Sequence, residues 1–259
     1  MAYEPGDLEK RVKEIRKSIS WGQGAITAAL GLGLLSTEIK KILSLPHQLN
    51  DFLYLALLIA IGVKVALWIW VSQKELALFC QWLDPEEYEP PDETLIIVGF
   101  AVVLAILLYA ARNPIVFGAA YTVYSVANVL GWKHIRGEIK TAVTKSRLRL
   151  KDEPSEQAGI IEQALALIER YYVEAPHIAR SSLGLILAIT GLAISTYGGL
   201  RHNQTATAGA YLVYIFDTLI IEELGTMRLR LALYAGLRPL SAKVHDLERR
   251  GQLGQLPRP

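Results

Sequence analysis

The chain has 259 residues, 52% of them apolar and 20% charged, with 27 Lys and Arg against 25 Asp and Glu. Soluble domains carry about 25% charged residues, and here the apolar residues fall into long runs, which sets a soluble globular domain aside. A net charge of +2 implies no nucleic-acid partner, and a single cysteine, Cys80, excludes an intrachain disulfide, a CxxC motif and a cysteine zinc cluster.

A membrane-spanning helix needs about 20 largely apolar residues, because the hydrocarbon core is about 30 Å thick and each residue rises about 1.5 Å. Residues 1–20 are polar and charged, without a signal-peptide apolar region, so the first hydrophobic segment is expected to be retained. That segment, 21–45, is cleanly apolar only over 24–35, and Glu38, Lys40 and Lys41 follow at once. It reads as a span, with an interfacial or re-entrant helix as the alternative. Residues 52–71 and 94–111 meet the length requirement easily. Residues 115–132 and 181–199 follow short polar breaks, and 205–221 is shorter and contains Asp217. The expected fold is an all-α integral membrane protein of six transmembrane helices arranged as three hairpins.

Each hairpin follows an amphipathic stretch expected to form a cytoplasmic surface helix, at 8–19, 74–83 and 156–172. The chain therefore reads as one membrane domain, 1–259, with possible repeats 8–72, 74–149 and 156–231 and a cytoplasmic tail at 232–259. The repeat has a trace in the residues themselves. Gly118-Ala119-Ala120-Tyr121-Thr122-Val123-Tyr124 matches Ala208-Gly209-Ala210-Tyr211-Leu212-Val213-Tyr214, and each follows a polar turn, Arg112-Asn113-Pro114 or Arg201-His202-Asn203.

Charge placement orients the spans. With the termini and the loops 72–93 and 133–178 on one side, that side holds 21 Lys and Arg, and the other holds only Lys40, Lys41, Arg112 and Arg201. Lys and Arg are retained in the cytoplasm, so both ends are expected there, in a plasma membrane. If 21–45 did not cross, the five cations of the N-terminal arm would change sides, which disfavours the re-entrant alternative. Trp21, Trp68, Trp70, Trp82 and Trp132 lie at or near span ends, as an aromatic belt requires. The sequon Asn203-Gln204-Thr205 falls on the outer side, in accord with this orientation.

Ionisable residues within a bilayer are costly and therefore candidates for function. Lys64 lies midway along 52–71, too deep to reach either interface easily, and suits a counter-ion, an anion anchor or a proton-coupled amine, or else a static pair with Asp217 or Glu222. Asp217 suits a cation or proton carboxylate. On an α-helix Glu222 is about 140° round from it, so the two are not expected to share a face, and Glu222 and Glu223 read as interfacial and solvated. Asn128 suits hydrogen bonding between helices. Gly22, Gly24, Gly31, Gly33, Gly118, Ala119 and Ala120 suit close helix packing, or less readily a pore lined by backbone.

Lys133, Arg136, Lys140, Lys145, Arg147, Arg149 and Lys151 emerge directly from the fourth expected span, where anionic headgroups would attract them. No aromatic residues interleave them after Trp132, so nucleic-acid binding is not expected. The acidic loop 84–93 reads as a solvated, Pro-rich connector, with docking on the basic stretch or cation binding as the alternative. GxSxG, HExxH, P-loop and GxGxxG motifs are absent, and no histidine sits deep in a span as a haem or metal ligand would. No cofactor or metal is expected, and the balance is against an enzyme. The expected function is a homo-oligomeric ion channel or small-solute transporter. A non-catalytic scaffold or accessory subunit binding anionic lipid or partner proteins is the alternative, and a lipid-modifying enzyme the third reading.

Overall fold

The computed structural model describes residues 49–80, 113–150 and 156–249, together with Lys40, Trp82 and residues 106, 107, 109 and 110. Within 49–80 the side chains are described as far as Lys64. Nearly all of the expected first span, most of the third, the acidic loop 84–93 and Lys151 lie outside the described residues.

Every element among the described residues is helical. Helix α1, Leu49–Cys80, carries Asp51 in its first turn, where a carboxylate meets the positive end of the helix dipole. Helix α2, Pro114–Leu150, is capped by Asn113, whose Oδ1 accepts from the N–H of Ile115 at 3.0 Å and of Val116 at 3.3 Å. Pro114 occupies the first helical position, where a missing N–H is harmless. Helix α3, Glu156–Glu169, widens into a first π-helical turn, Arg170–Glu174, and ends before Pro176. Helix α4, His177–Leu200, leads to the three-residue turn Arg201-His202-Asn203, in which His202 takes a left-handed conformation, φ 52°.

Asn203 then caps helix α5, Gln204–Phe216, accepting from Ala206 N–H at 3.1 Å. Helix α5 passes without a break into a second π-helical segment, Asp217–Leu224, and on into helix α6, Gly225–Arg249. The similarity between the stretches at 118 and 208 thus has a structural counterpart. Each helix opens on an asparagine cap, and tyrosines follow eight and eleven residues later: Tyr121 and Tyr124, Tyr211 and Tyr214.

Two helical stretches are long and apolar enough to cross a membrane, Pro114–Leu148 and Ala158–Leu200. Helix α4 packs antiparallel to α2, Gly118 lying against Leu192 while Asn128 meets Ser181. Helix α1 runs parallel to α5, with Tyr54 near Tyr211 at one level and Lys64 near Glu222 at the next. Helices α1, α2 and α5 therefore start at one end of the bundle, which we call the turn end.

The apolar side chains form two cores. Near the turn end, Leu57, Leu58, Phe117, Tyr121, Ala188 and Tyr214 are fully buried. Its tightest point is Tyr214, whose ring lies directly against Gly118 and Gly191, so that neither position has room for a Cβ. The second core, at the other end, joins the distal half of α2 to α3 and α6 through Ile139, Val143, Leu165, Ile168, Leu237 and Leu240. The amphipathic stretch at 156–172 therefore buries its apolar face between helices, and residues 232–249 continue as packed helix. Gly191→Ala should destabilise the protein by about 1–3 kcal/mol through overpacking. Adding Tyr214→Leu should recover part of that loss in detergent melting curves, whereas a penalty unchanged by Tyr214→Leu would contradict this packing.

Candidate functional site

One turn of α-helix further from the turn end, apolar packing gives way to a buried charged cluster. Lys64, 7% exposed, reaches from the middle of α1 and pairs with the carboxylate of Glu222. Its ammonium lies over two aromatic rings of α2, 4.7 Å from the centroid of Tyr124 and 5.8 Å from that of Tyr121, so cation–π attraction replaces part of its lost hydration. The other Glu222 oxygen accepts from Asn128 Nδ2 at 3.0 Å, and the same amide nitrogen lies 3.4 Å from Ser181 Oγ.

Asp217 is completely buried, with the Tyr121 hydroxyl beside its carboxylate and no hydrogen bond of good geometry to either oxygen. The neighbouring Tyr121 hydroxyl is engaged with Thr218 Oγ1 at 3.0 Å. Opposite stands Gly184 of α4. A methyl there would lie 3.0 Å from Asp217 Oδ1 and 3.5 Å from both Asp217 Oδ2 and Glu222 Oε1, so the two carboxylates converge on one glycine.

That convergence corrects the expectation that Asp217 and Glu222 occupy different faces. The segment Asp217–Leu224 is π-helical, and Gly225 N–H donates to Ile220 O, five residues back. An i→i+5 turn brings the fifth residue back over the first, where an α-helix would carry it about 140° round. Glu222 and Glu223 are likewise not solvated interfacial residues: the Glu222 side chain is 9% exposed and Glu223 is 8% exposed, within electrostatic reach of Lys64 and Arg230. Lys64, Asn128, Asp217 and Glu222 are thus all brought together.

Beyond the Lys64–Glu222 pair lies a cavity of about 30 Å³. It extends from Lys64, Asn128 and Glu222 to Trp132, His177 and Arg230, roughly 12 Å along the helices at about 1.5 Å per residue. A single water needs about 10–15 Å³ by this measure, so waters or a small ion fit and an organic substrate does not. At the far end the His177 ring stacks on Trp132, 4.1 Å between centroids, and its Nε2–H donates to the Tyr171 carbonyl at 2.8 Å. Arg230 Nε donates to the Tyr171 hydroxyl at 3.2 Å, and Arg180 donates to the Gly225 carbonyl. The first π turn holds Tyr171 in place, closed by Ala175 N–H donating to Arg170 O at 3.0 Å.

Sequence reasoning missed Tyr121, Tyr124, Ser181, Gly184, His177, Arg180, Glu223 and Arg230 as members of this cluster. The only available signal was the recurrence of ionisable residues at 217, 222, 223 and 230, which α-helical spacing scatters over several faces. The basic residues of α2 lie apart from the cavity. Lys133, Arg136, Lys140 and Lys145 are exposed, whereas Arg147 is tied to Glu162 at 2.9 Å and Glu169 at 2.5 Å. The side chain of Arg149 is outside the described residues.

No group of three or more His, Cys, Asp or Glu side chains among the described residues is placed to hold a metal ion. Fold and site together define an all-helical protein with two helices able to cross a membrane and a charged cluster buried between its helices. No family model, curated protein or solved structure matches the chain, so the site is read from its own geometry.

Removing one member of a buried ion pair strands the other and costs about 3–5 kcal/mol. Lys64→Met and Glu222→Gln should therefore each lower thermal stability, and the double variant should lose clearly less than the two losses added. Strict additivity in melting curves would show that the pair carries no coupling.

Proposed function

We propose that this is a multi-pass membrane protein that moves a small ion, as a channel or transporter, through the charged cluster around Lys64. The observation carrying this reading is a water-sized cavity that ends on the Lys64–Glu222 pair, with Asp217 beyond it. Ionisable groups buried among transmembrane helices mark ion and proton pathways. The cavity is far smaller than the roughly 300–1,000 Å³ of organic-ligand sites, which favours an ion over the lipid substrate of a membrane enzyme.

The topology belonging to this reading has six spans as three hairpins, both termini in the cytoplasm, in a plasma membrane. The parallel course of α1, α2 and α5, opposed by α4, supports it, as does the three-residue turn joining α4 to α5. In that frame the turn end is extracellular, sealed by the Phe117, Tyr121 and Tyr214 rings, and the cavity faces the cytoplasm. Assembly as a homo-oligomer is part of the same proposal.

The headgroup reading narrows at the same time. If α2 leaves the bilayer near Trp132, Lys145 and Arg147 stand about 20 Å beyond it, more than two Debye lengths of about 8 Å. Lys133, Arg136 and Lys140 remain as the cations that meet anionic lipid.

A scaffold or accessory role is the second reading, favoured by the closed Lys64–Glu222 pair and by the helical core beyond the charged cluster. Ion flux into liposomes separates the two. The reconstituted protein should exceed empty liposomes, and Lys64→Met or Asp217→Asn, still monodisperse on gel filtration, should change the rate at least tenfold. Flux no greater than in empty liposomes, under gradients of Na⁺, K⁺, H⁺ and Cl⁻, would overturn transport in favour of the scaffold.

A further inference from the structure

We propose that Asp217 and Glu222, facing Gly184, form a binding site for one small hard monovalent metal cation of the Na⁺ class, with Lys64 as its built-in competitor. This deepens the transport reading by naming the ion and its seat. A buried carboxylate without a hydrogen bond is held only at a large desolvation cost, so it is neutralised either by a proton or by a cation bound where it points. Asp217 is such a group: it is fully buried, and neither oxygen receives a well-formed hydrogen bond, with the Tyr121 hydroxyl and the Lys64 charge nearby.

Its surroundings have the chemistry of a hard-cation seat. The donors gathered there are oxygens: both of Asp217, Oε1 of Glu222, which also accepts from Asn128, and the hydroxyls of Tyr121 and Thr218 beside the first carboxylate. No thiolate or imidazole is among them, and hard cations take oxygen ligands. Gly184 supplies the room, because a Cβ would crowd both carboxylates at once. The π-helical backbone supplies the convergence, as irregular segments of membrane helices do at cation sites of transporters.

Lys64 gives the site its switch. The three carboxylates Asp217, Glu222 and Glu223 share the cluster with three cations, Lys64, Arg180 and Arg230. Of these, Arg180 is engaged with the Gly225 carbonyl and Arg230 with Tyr171. Among the described residues the Lys64 ammonium pairs directly with a carboxylate of the convergent pair, that of Glu222. A metal cation arriving between Asp217 and Glu222 takes Glu222 Oε1 from the Asn128 amide and competes with Lys64, held on Oε2, for the charge of the same carboxylate, so that the ammonium turns towards Tyr124 and the cavity.

The test uses the full chain purified in detergent, melted at pH 8 in NaCl, KCl or choline chloride at equal ionic strength, alongside equilibrium binding of ²²Na⁺. NaCl should raise Tm by several degrees over choline chloride, and Li⁺ but not choline should displace ²²Na⁺. Asp217→Asn should abolish the response. Lys64→Met should retain it, with half-saturation at a Na⁺ concentration at least tenfold lower, an effect that a merely structural lysine would not produce. Should Asp217→Asn fail to fold, ²²Na⁺ binding to the wild type and to Lys64→Met decides alone.

Equal Tm in the three salts with no ²²Na⁺ binding overturns the proposal, as does a Tm that follows pH but no metal cation, which would leave Asp217 a proton site. Na⁺ binding without flux in liposomes leaves this site standing and overturns transport. Flux of another ion without Na⁺ binding does the reverse.

Discussion

Everything near the middle of this protein follows from one requirement: the positive charge of Lys64, placed at mid-helix and 7% exposed, has to be offset largely by protein groups. An isolated ammonium in a medium of low dielectric costs many kcal/mol, and a carboxylate partner offsets that only when its remaining lone pairs are also satisfied. Glu222 meets Lys64 with one oxygen and Asn128 with the other, and two tyrosine rings cover the rest of the ammonium. Four helical segments must therefore arrive together at one level: α1 with the lysine, α2 with Asn128 and the tyrosines, α4 with Ser181, and the second π segment with the carboxylate.

The same requirement explains why small residues sit where they do. In the proposed membrane setting apolar side chains gain little by leaving lipid, so close packing and interhelical hydrogen bonds carry association. Gly118 and Gly191 let the Tyr214 ring fill the space between α2 and α4, and Gly184 lets two carboxylates approach α4 at one point. Large side chains at these three positions would separate α4 from its neighbours and open the Lys64–Glu222 pair to lipid or water.

Much of the helical architecture was legible in the sequence because long apolar runs between polar breaks announce helices by length and polarity alone. The helices through 52–71, 115–132, 181–199 and 205–221 are present, and the asparagines before Ile115 and Gln204 begin two of them by capping. Lys64, Asp217 and Asn128 were legible as candidates because a polar residue in an apolar run has few reasons to be there. Their mutual arrangement was not. It depends on a π-helical register, and Asp217-Thr218-Leu219-Ile220-Ile221-Glu222 has no residue that distinguishes a π turn from an α turn. Read with α-helical geometry, that stretch places its two carboxylates apart and makes Glu222 and Glu223 look solvated. The apolar face of 156–172 misled for a related reason, since an amphipathic period says that a face is covered and leaves open whether lipid or another helix covers it.

Why the register is π-helical there can be argued from what lies on either side. Helix α5, the π segment and α6 form one uninterrupted rod from Gln204 to Arg249, with Tyr214 locked in the first core and Leu233 in the second. In a continuous α-helix these two residues, nineteen positions apart, would point about 100° away from each other. A wide turn that absorbs one extra residue rotates the distal half back by about the same angle, and both side chains then face one side of the rod. The extra residue lies at Asp217–Leu224, where it also swings Glu222 under Lys64 and towards Gly184. Packing at the two ends thus holds the middle in a backbone form that α-helical hydrogen bonding alone would not select. The charged cluster is assembled by apolar contacts on either side of it, from about 5 to 30 Å away along the rod.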